Sequence, residues 1–192
     1  MSGVPIDGDY IKSESKQGRI GQKLLAVVAQ GSRGRVYLPP DSLQEQAANV
    51  DVNWKPNVEF FDKALGFRVG NYGMRYWGDL FTPRQLLSLS TFSNLIQEAR
   101  KKIIEDAANA GLEDDGIGLD EGGSGATAYG EAISVYLAFA VDRLADYNST
   151  IATWKPSGEQ VMQTYKRQAV PMTWDFPESN VMGEKAICWK KQ

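Results

Sequence analysis

The apolar positions of this chain change rhythm near residue 82. Before it they fall in short runs; after it they recur with a helical period. Residues 23–29 are apolar and partly β-branched, Gln30-Gly31-Ser32-Arg33-Gly34 carries turn chemistry, and residues 35–38 repeat a short strand pattern. Two such runs across a glycine-containing loop predict a β-hairpin. Pro39-Pro40 ends it, because proline cannot donate to a ladder. Residues 41–81 read as irregular. Within them, Phe60, Phe61, Phe67, Tyr72, Tyr76 and Trp77 mark an aromatic-rich packed connection with one short strand.

The helical part begins at Thr82, an N-cap followed by Pro83 at the first helical position and Gln85 to complete a capping box. Leu86, Leu89, Phe92, Leu95/Ile96, Ala99 and Ile103 then form one apolar stripe at spacings of three and four. Gly111 stops this first helix, which at 1.5 Å per residue is roughly 40 Å long. A second helix is predicted from Ala126 to Tyr147, ended by Asn148-Ser149. Residues 132–141 are apolar nearly all round, which predicts the most buried helix of the fold. A third, amphipathic helix is predicted over residues 158–169, stopping before Pro171. The fold class is therefore α+β: a basic N-terminal β-hairpin region (1–40), an irregular aromatic connection (41–81) and a mainly helical part with about three helices (82–192). No internal repeat or low-complexity linker divides these, so the 192 residues read as one domain.

Composition then narrows the chemistry. With 42% hydrophobic residues the chain can build a sizeable core, and a net charge of -3 excludes a uniformly basic nucleic-acid binder. There is no histidine, which excludes Ser-His-Asp and Cys-His triads and an HExxH zinc site. The one cysteine, Cys188, excludes an internal disulfide, a Cys-x-x-Cys redox site and a four-cysteine zinc ribbon. The first ten residues lack a basic segment followed by an apolar one, and the apolar run at residues 133–141 is far short of the ~20 residues of a membrane span. A cytoplasmic protein is expected, with no membrane partner.

Five places offer candidate chemistry. Gly123-Ser124-Gly125-Ala126-Thr127-Ala128 matches G-x-G-x-x-A ahead of a helix. A nucleotide-binding turn needs a strand immediately before it, whereas the acidic run at residues 113–121 stands there. A flexible loop with an N-cap at Ser124 is the favoured reading. Leu38-Pro39-Pro40-Asp41 has only a superficial likeness to an amino-methylating Asp-Pro-Pro-aromatic motif, because Leu38 cannot accept a hydrogen bond and Asp41 cannot stack on a base. Asp142, Arg143 and Asp146 share a helical spacing that fits a surface ion pair. Asp175 and Glu178 are carboxylates among aromatics without a histidine or cysteine partner. No catalytic, cofactor-binding or metal-binding residue is assigned from these. The N-terminal segment sets Lys12, Lys16, Arg19, Lys23, Arg33 and Arg35 against Asp7, Asp9 and Glu14. Of these cations Lys16, Arg19, Lys23, Arg33 and Arg35 are the candidate contacts to a DNA backbone; the competing reading is a solvated hairpin surface.

Several segments carry a family resemblance. They are Gly18-Arg19-Ile20-Gly21 with residues 34–40, Tyr72-Gly73-Met74 with residues 79–86, residues 136–149, and Trp174-Asp175-Phe176 with Glu178 and Asn180. In order, and across nearly the whole chain, they resemble the middle section of the large adenine-specific DNA methylases that contain a zinc ribbon and begin with a domain of unknown function. In that family the S-adenosylmethionine-binding glycine motif and the zinc ribbon precede this section, and the Asp-Pro-Pro-Tyr catalytic motif follows it. None of the three occurs here, so no catalytic residue carries over and both S-adenosylmethionine and zinc belong to other parts of the family protein. After Glu178 the family continues Asn-Pro-Phe, whereas this chain reads Asn180-Val181-Met182. The resemblance implies a non-catalytic piece of an S-adenosylmethionine-dependent DNA adenine methyltransferase, inactive alone, that helps to bind DNA. The alternative is a helical assembly module that docks on the remaining methylase segments or on a second copy.

Overall fold

The computed structural model describes residues 3–61 and 66–183. The fold is α+β, with four α-helices and two separate two-stranded antiparallel sheets among the described residues. The chain divides into two compact units: unit 1 comprises Met1–Leu86 and Asn148–Glu178, and unit 2 comprises Leu87–Tyr147 and Ser179–Gln192.

Unit 1 begins with helix α1 (Gly8–Lys16), which the sequence did not signal because its only large apolar residues, Tyr10 and Ile11, stand side by side. The expected hairpin follows as β1 (Val27–Gln30) and β2 (Arg35–Leu38), in register from Val27 opposite Leu38 to Gln30 opposite Arg35. Helix α2 (Ser42–Ala47) interrupts the region expected to be irregular. Its N-cap is Asp41, whose side chain accepts from the Gln44 backbone N–H at 2.9 Å while the Gln44 side chain takes the Asp41 N–H. This is the same reciprocal capping seen at Thr82, placed where proline had suggested only a strand end.

The core of unit 1 sits under the aromatic connection. Val69, Leu80, Ile151 and Val170 are its buried centre, with Phe60, Phe67, Trp77 and Met172 packed against it. Phe60, Phe67 and Trp77 form a ring triad with centroids 4.7–6.0 Å apart and edge-on or tilted planes, the arrangement that ring quadrupoles favour. Two 3₁₀ turns, Val69–Tyr72 and Trp77–Leu80, carry Val69, Trp77 and Leu80 into this core. Asp79 fixes the second turn by accepting from the Arg75 and Tyr76 N–H groups at 2.6 and 2.8 Å and by pairing with Lys55.

The third predicted helix is not there. Its first residues complete a small hairpin, β3 (Thr153–Lys155) and β4 (Gln160–Met162), joined by the 3₁₀ turn Pro156–Gly158, and residues 164–169 follow as a series of bends. Glu159 closes the turn in the left-handed region at φ 45°, a conformation no helix interior uses. Trp154 opposite Val161 is an aromatic–β-branched cross-strand pair, and this long-range pairing overrides the helical spacing of the local sequence.

Unit 2 is built on helices α3 (Pro83–Asn109, most of which lies in this unit) and α4 (Ala126–Tyr147), bounded almost as the sequence predicts. Gly130 makes the closest approach between them: a Cβ there would overlap Ile104 and would lie 3.4 Å from the Arg100 carbonyl. Arg100 also pairs with Glu131. The buried stripe of α3 includes Phe92 and Ile96, as the periodicity requires. Helix α4 corrects the expectation of all-round burial. Leu144 is buried, but Tyr136 and Phe139 are 71% and 60% exposed. With two helices in the unit, an all-apolar helix can cover one face and leaves the other open. Among the described residues no helix is long and apolar enough to cross a membrane.

Candidate nucleic-acid interface

The five basic positions singled out in the sequence fall on two differently anchored elements. Lys16 is in the last turn of α1 and Arg19 just beyond it, where the Arg19 N–H bonds the Glu14 carbonyl at 3.0 Å. Helix α1 is held on the 3₁₀ turn at Val69–Tyr72 by the Ser15 hydroxyl, which donates to the Tyr72 carbonyl at 2.7 Å. Lys23 lies in the extended segment before β1, Arg33 at the hairpin tip and Arg35 at the start of β2. The hairpin is held instead by Tyr37, whose ring meets Trp154 edge-on at 6.5 Å and whose hydroxyl donates to Glu159 at 3.1 Å.

The five charges are not equally available. The Arg19 guanidinium embraces Glu14, with Nε 2.6 Å from Oε2, and also contacts Gln17. That hydrogen bond raises the Arg19 pKa and lowers that of Glu14, so each neutralises the other. Arg35 lies over the Trp154 ring at 5.4 Å, a cation–π contact that leaves its outer nitrogens for an anion. Lys16, Lys23 and Arg33 form no ion pair among the described residues and are exposed. Of the five, Lys16, Lys23, Arg33 and Arg35 keep cationic groups available, whereas Arg19 serves as a local brace.

The glycine motif before α4 is filled by the chain itself. The Asp114 carboxylate accepts from the Thr127 N–H at 3.0 Å, the Thr127 hydroxyl at 2.9 Å and the Gly116 N–H at 3.2 Å. Asp115 accepts from the Ile117 and Ser124 N–H groups, and the Glu113 carbonyl takes the Ala126 N–H. Hydrogen bonds from Thr127 above all hold the Asp114 carboxyl below its usual range; those from Ile117 and Ser124 do the same for Asp115. Thus Asp114, not Ser124, caps the helix, and the acidic loop occupies the ground an anionic cofactor would need. Gly125 is required by this packing, since a Cβ would lie 2.7 Å from the Asp115 nitrogen and 2.9 Å from the Glu113 oxygen. An S-adenosylmethionine carboxylate does not fit this helix start.

Of the other candidates, Glu178 and Arg143 are engaged within the fold. Glu178 receives Arg84 through two nitrogens, at 2.8 and 2.6 Å, and the Thr82 hydroxyl at 3.2 Å. Arg143 lies over the Tyr147 ring at 5.5 Å. The Thr82–Gln85 capping box is buried, and Gln85 reaches on to Asn148 at 3.4 Å. No group of three or more metal-ligating side chains occurs among the described residues. Sequence reasoning missed a second cationic locus in unit 1, where Lys12, Arg68 and Arg167 line one cleft with Tyr72 and Trp174. Its members are scattered over residues 12 to 174, so no local charge run announced it. No protein-family model, curated protein or solved structure matches this chain.

Proposed function

We propose that this chain is a non-catalytic region of a DNA adenine methyltransferase, located in the cytoplasm, that helps to hold DNA while other segments supply S-adenosylmethionine and the reacting groups. One observation carries this reading: parts of three segments that resemble the methylase family, within residues 72–86, 148–149 and 174–178, meet in unit 1. The Tyr72 ring packs edge-on against Trp174 with centroids 5.1 Å apart, Arg84 and Thr82 bond Glu178, and Gln85 bonds Asn148. Side chains so engaged hold a fold together. Such residues suit a supporting part of a larger enzyme better than a self-sufficient active site.

In this reading the DNA contact is electrostatic and sequence-independent, made by Lys16, Lys23, Arg33 and Arg35. Neutralised phosphates release counterions, so the log-log slope of affinity against salt is roughly -0.9 per phosphate contacted. The test is fluorescence anisotropy of labelled duplex at low and moderate salt, with wild type and an Arg33→Ala/Arg35→Ala variant. Salt-sensitive binding that the double variant weakens supports the reading. Absence of binding even at low salt refutes the DNA contact.

The exposed Tyr136 and Phe139 face of α4 favours a second reading, an assembly module that docks on the remaining methylase segments or on a second copy. Sedimentation of wild type against Tyr136→Ser/Phe139→Ser tests the second copy: a concentration-dependent dimer lost in the variant supports it, and a monomer at all concentrations excludes it.

A further inference from the structure

We infer that unit 1 contains a nucleotide-binding cleft, separate from the hairpin, that takes the base and phosphate of an unpaired nucleotide. The inference deepens the DNA-contact reading and rests on its premise that the chain meets nucleic acid.

The cleft has a volume of about 660 Å³ and is lined in part by Lys12, Arg68, Asn71, Tyr72, Arg167 and Trp174. Among the described residues its three charged lining side chains are all cations, in a chain whose net charge is -3. Arg68 and Arg167 are exposed and form no ion pair among the described residues; Lys12 shares its charge with Asp9 at 2.8 Å. Two guanidinium groups with no carboxylate partner among the described residues can meet phosphate oxygens with forked hydrogen bonds. Beside them Trp174 remains 54% exposed although Tyr72 packs edge-on against it. An indole braced by a neighbouring ring with about half of its surface open can offer a stacking surface to a base. Asn71 adds an amide that can both donate to and accept from a base edge.

The walls are fixed by the backbone. The Arg68 N–H bonds the Val170 carbonyl at 3.1 Å, joining the segment that bears Arg68 to the one that bears Arg167. The Thr173 hydroxyl donates to the Thr150 carbonyl at 2.9 Å and steadies Trp174 from the next position. Ser15 ties α1, and with it Lys12, to the Tyr72 carbonyl. Cations and rings are thus held on three anchored segments, so the site is largely formed before a ligand arrives. A duplex keeps its bases stacked in the helix and cannot offer one to Trp174. The chemistry therefore selects an unpaired nucleotide, either free or within a single strand.

The experiment uses the full chain, with single-stranded dodecamer, duplex of the same sequence and dAMP as probes. Binding is read by anisotropy of labelled strands and by quenching of intrinsic tryptophan fluorescence. The single strand should bind more tightly than duplex and quench the indole signal. Arg68→Ala/Arg167→Ala should weaken it at least tenfold, and Trp174→Ala by a factor on the order of 5 to 150. Trp174→Phe should keep most of the affinity and lose the quench, and it decides the matter should the alanine variant prove unfolded by circular dichroism. Competition by dAMP identifies a free nucleotide as sufficient; binding of the strand alone identifies the polymer. Cleft variants that bind like wild type, together with loss in Arg33→Ala/Arg35→Ala, would overturn the cleft and leave the hairpin contact standing. No binding of any probe at low salt would overturn both.

Discussion

Truncating Leu80 to alanine tests the core of unit 1 at its centre. Leu80 is fully buried, at 0% exposure, among Val69, Ile151 and Val170, with the rings of Phe60, Phe67 and Trp77 around them. Removing three carbons forfeits about 2.4 kcal/mol at ~0.8 kcal/mol per buried methylene. A cavity term follows, because edge-to-face rings cannot slide inward without breaking their mutual contacts. That places the total toward the upper part of the usual range, at about 4 kcal/mol. The backbone anchor is untouched: the Leu80 carbonyl still accepts from the Thr150 N–H at 2.7 Å and its hydroxyl at 2.8 Å. The loss is therefore packing alone. Urea unfolding followed by tryptophan fluorescence reports on it, since Trp54, Trp77, Trp154 and Trp174 all lie in unit 1. The urea midpoint should drop with the slope nearly unchanged. A loss under about 1 kcal/mol would mean that this site does not have the rigid packing described.

Three further outcomes are expected. Burial alone would raise the pKa of Asp79, but the bonds from Lys55 and from the Tyr76 and Arg75 N–H groups outweigh it and hold the carboxyl below its usual range. Its stabilising contribution is thus present above the unfolded carboxylate pKa and lost as pH falls through the folded one. Urea midpoints measured from pH 7 to pH 3 should show a smaller acid decline in Asp79→Asn than in wild type; equal declines would refute the assignment. On α4, Tyr136→Ser/Phe139→Ser should change monomer stability by less than about 0.5 kcal/mol per residue, whereas Ile96→Ala on the buried stripe of α3 should cost about 2–5 kcal/mol in the same denaturation assay. Calorimetric titration with S-adenosylmethionine should give no saturable heat, because Asp114 and Asp115 already occupy the start of α4; saturable binding abolished by Gly125→Val would refute this.

The parts of the fold that were legible in the sequence are those with local causes. The Thr82–Gln85 box, the spacing of Phe92 and Ile96, and the turn chemistry between β1 and β2 each act within a few residues, and each element formed near its expected bounds. Helix α1 was silent because its two large apolar residues, Tyr10 and Ile11, are adjacent and set up no repeat of three and four. Residues 158–169 misled because their spacing suits a helix, while the pairing of Trp154 with Val161 is settled across the Pro156–Gly158 turn. Pro-Ser-Gly between an aromatic run and a β-branched one was the hairpin signal available there. At the site, sequence located the hairpin cations but not the brace that Glu14 puts on Arg19. The acidic run at residues 113–121 is plain in the sequence; its role as the anion itself required the fold-back of Asp114 onto Thr127.

The hydrogen bond between Gln85 and Asn148 has a topological consequence. These residues stand where the chain first leaves unit 1 and where it returns, with the Leu87–Tyr147 part of unit 2 in the interval. Nearby, Thr150 is stitched to Leu80 through both its N–H and its hydroxyl. Unit 1 therefore holds its two broken ends side by side, as a ring holds its clasp. The cost of closing the excursion grows only with the logarithm of its length, about 0.6 kcal/mol for each doubling. An interruption clasped in this way is free to lengthen or shorten over evolutionary time while the body that bears the cleft and the hairpin keeps its geometry.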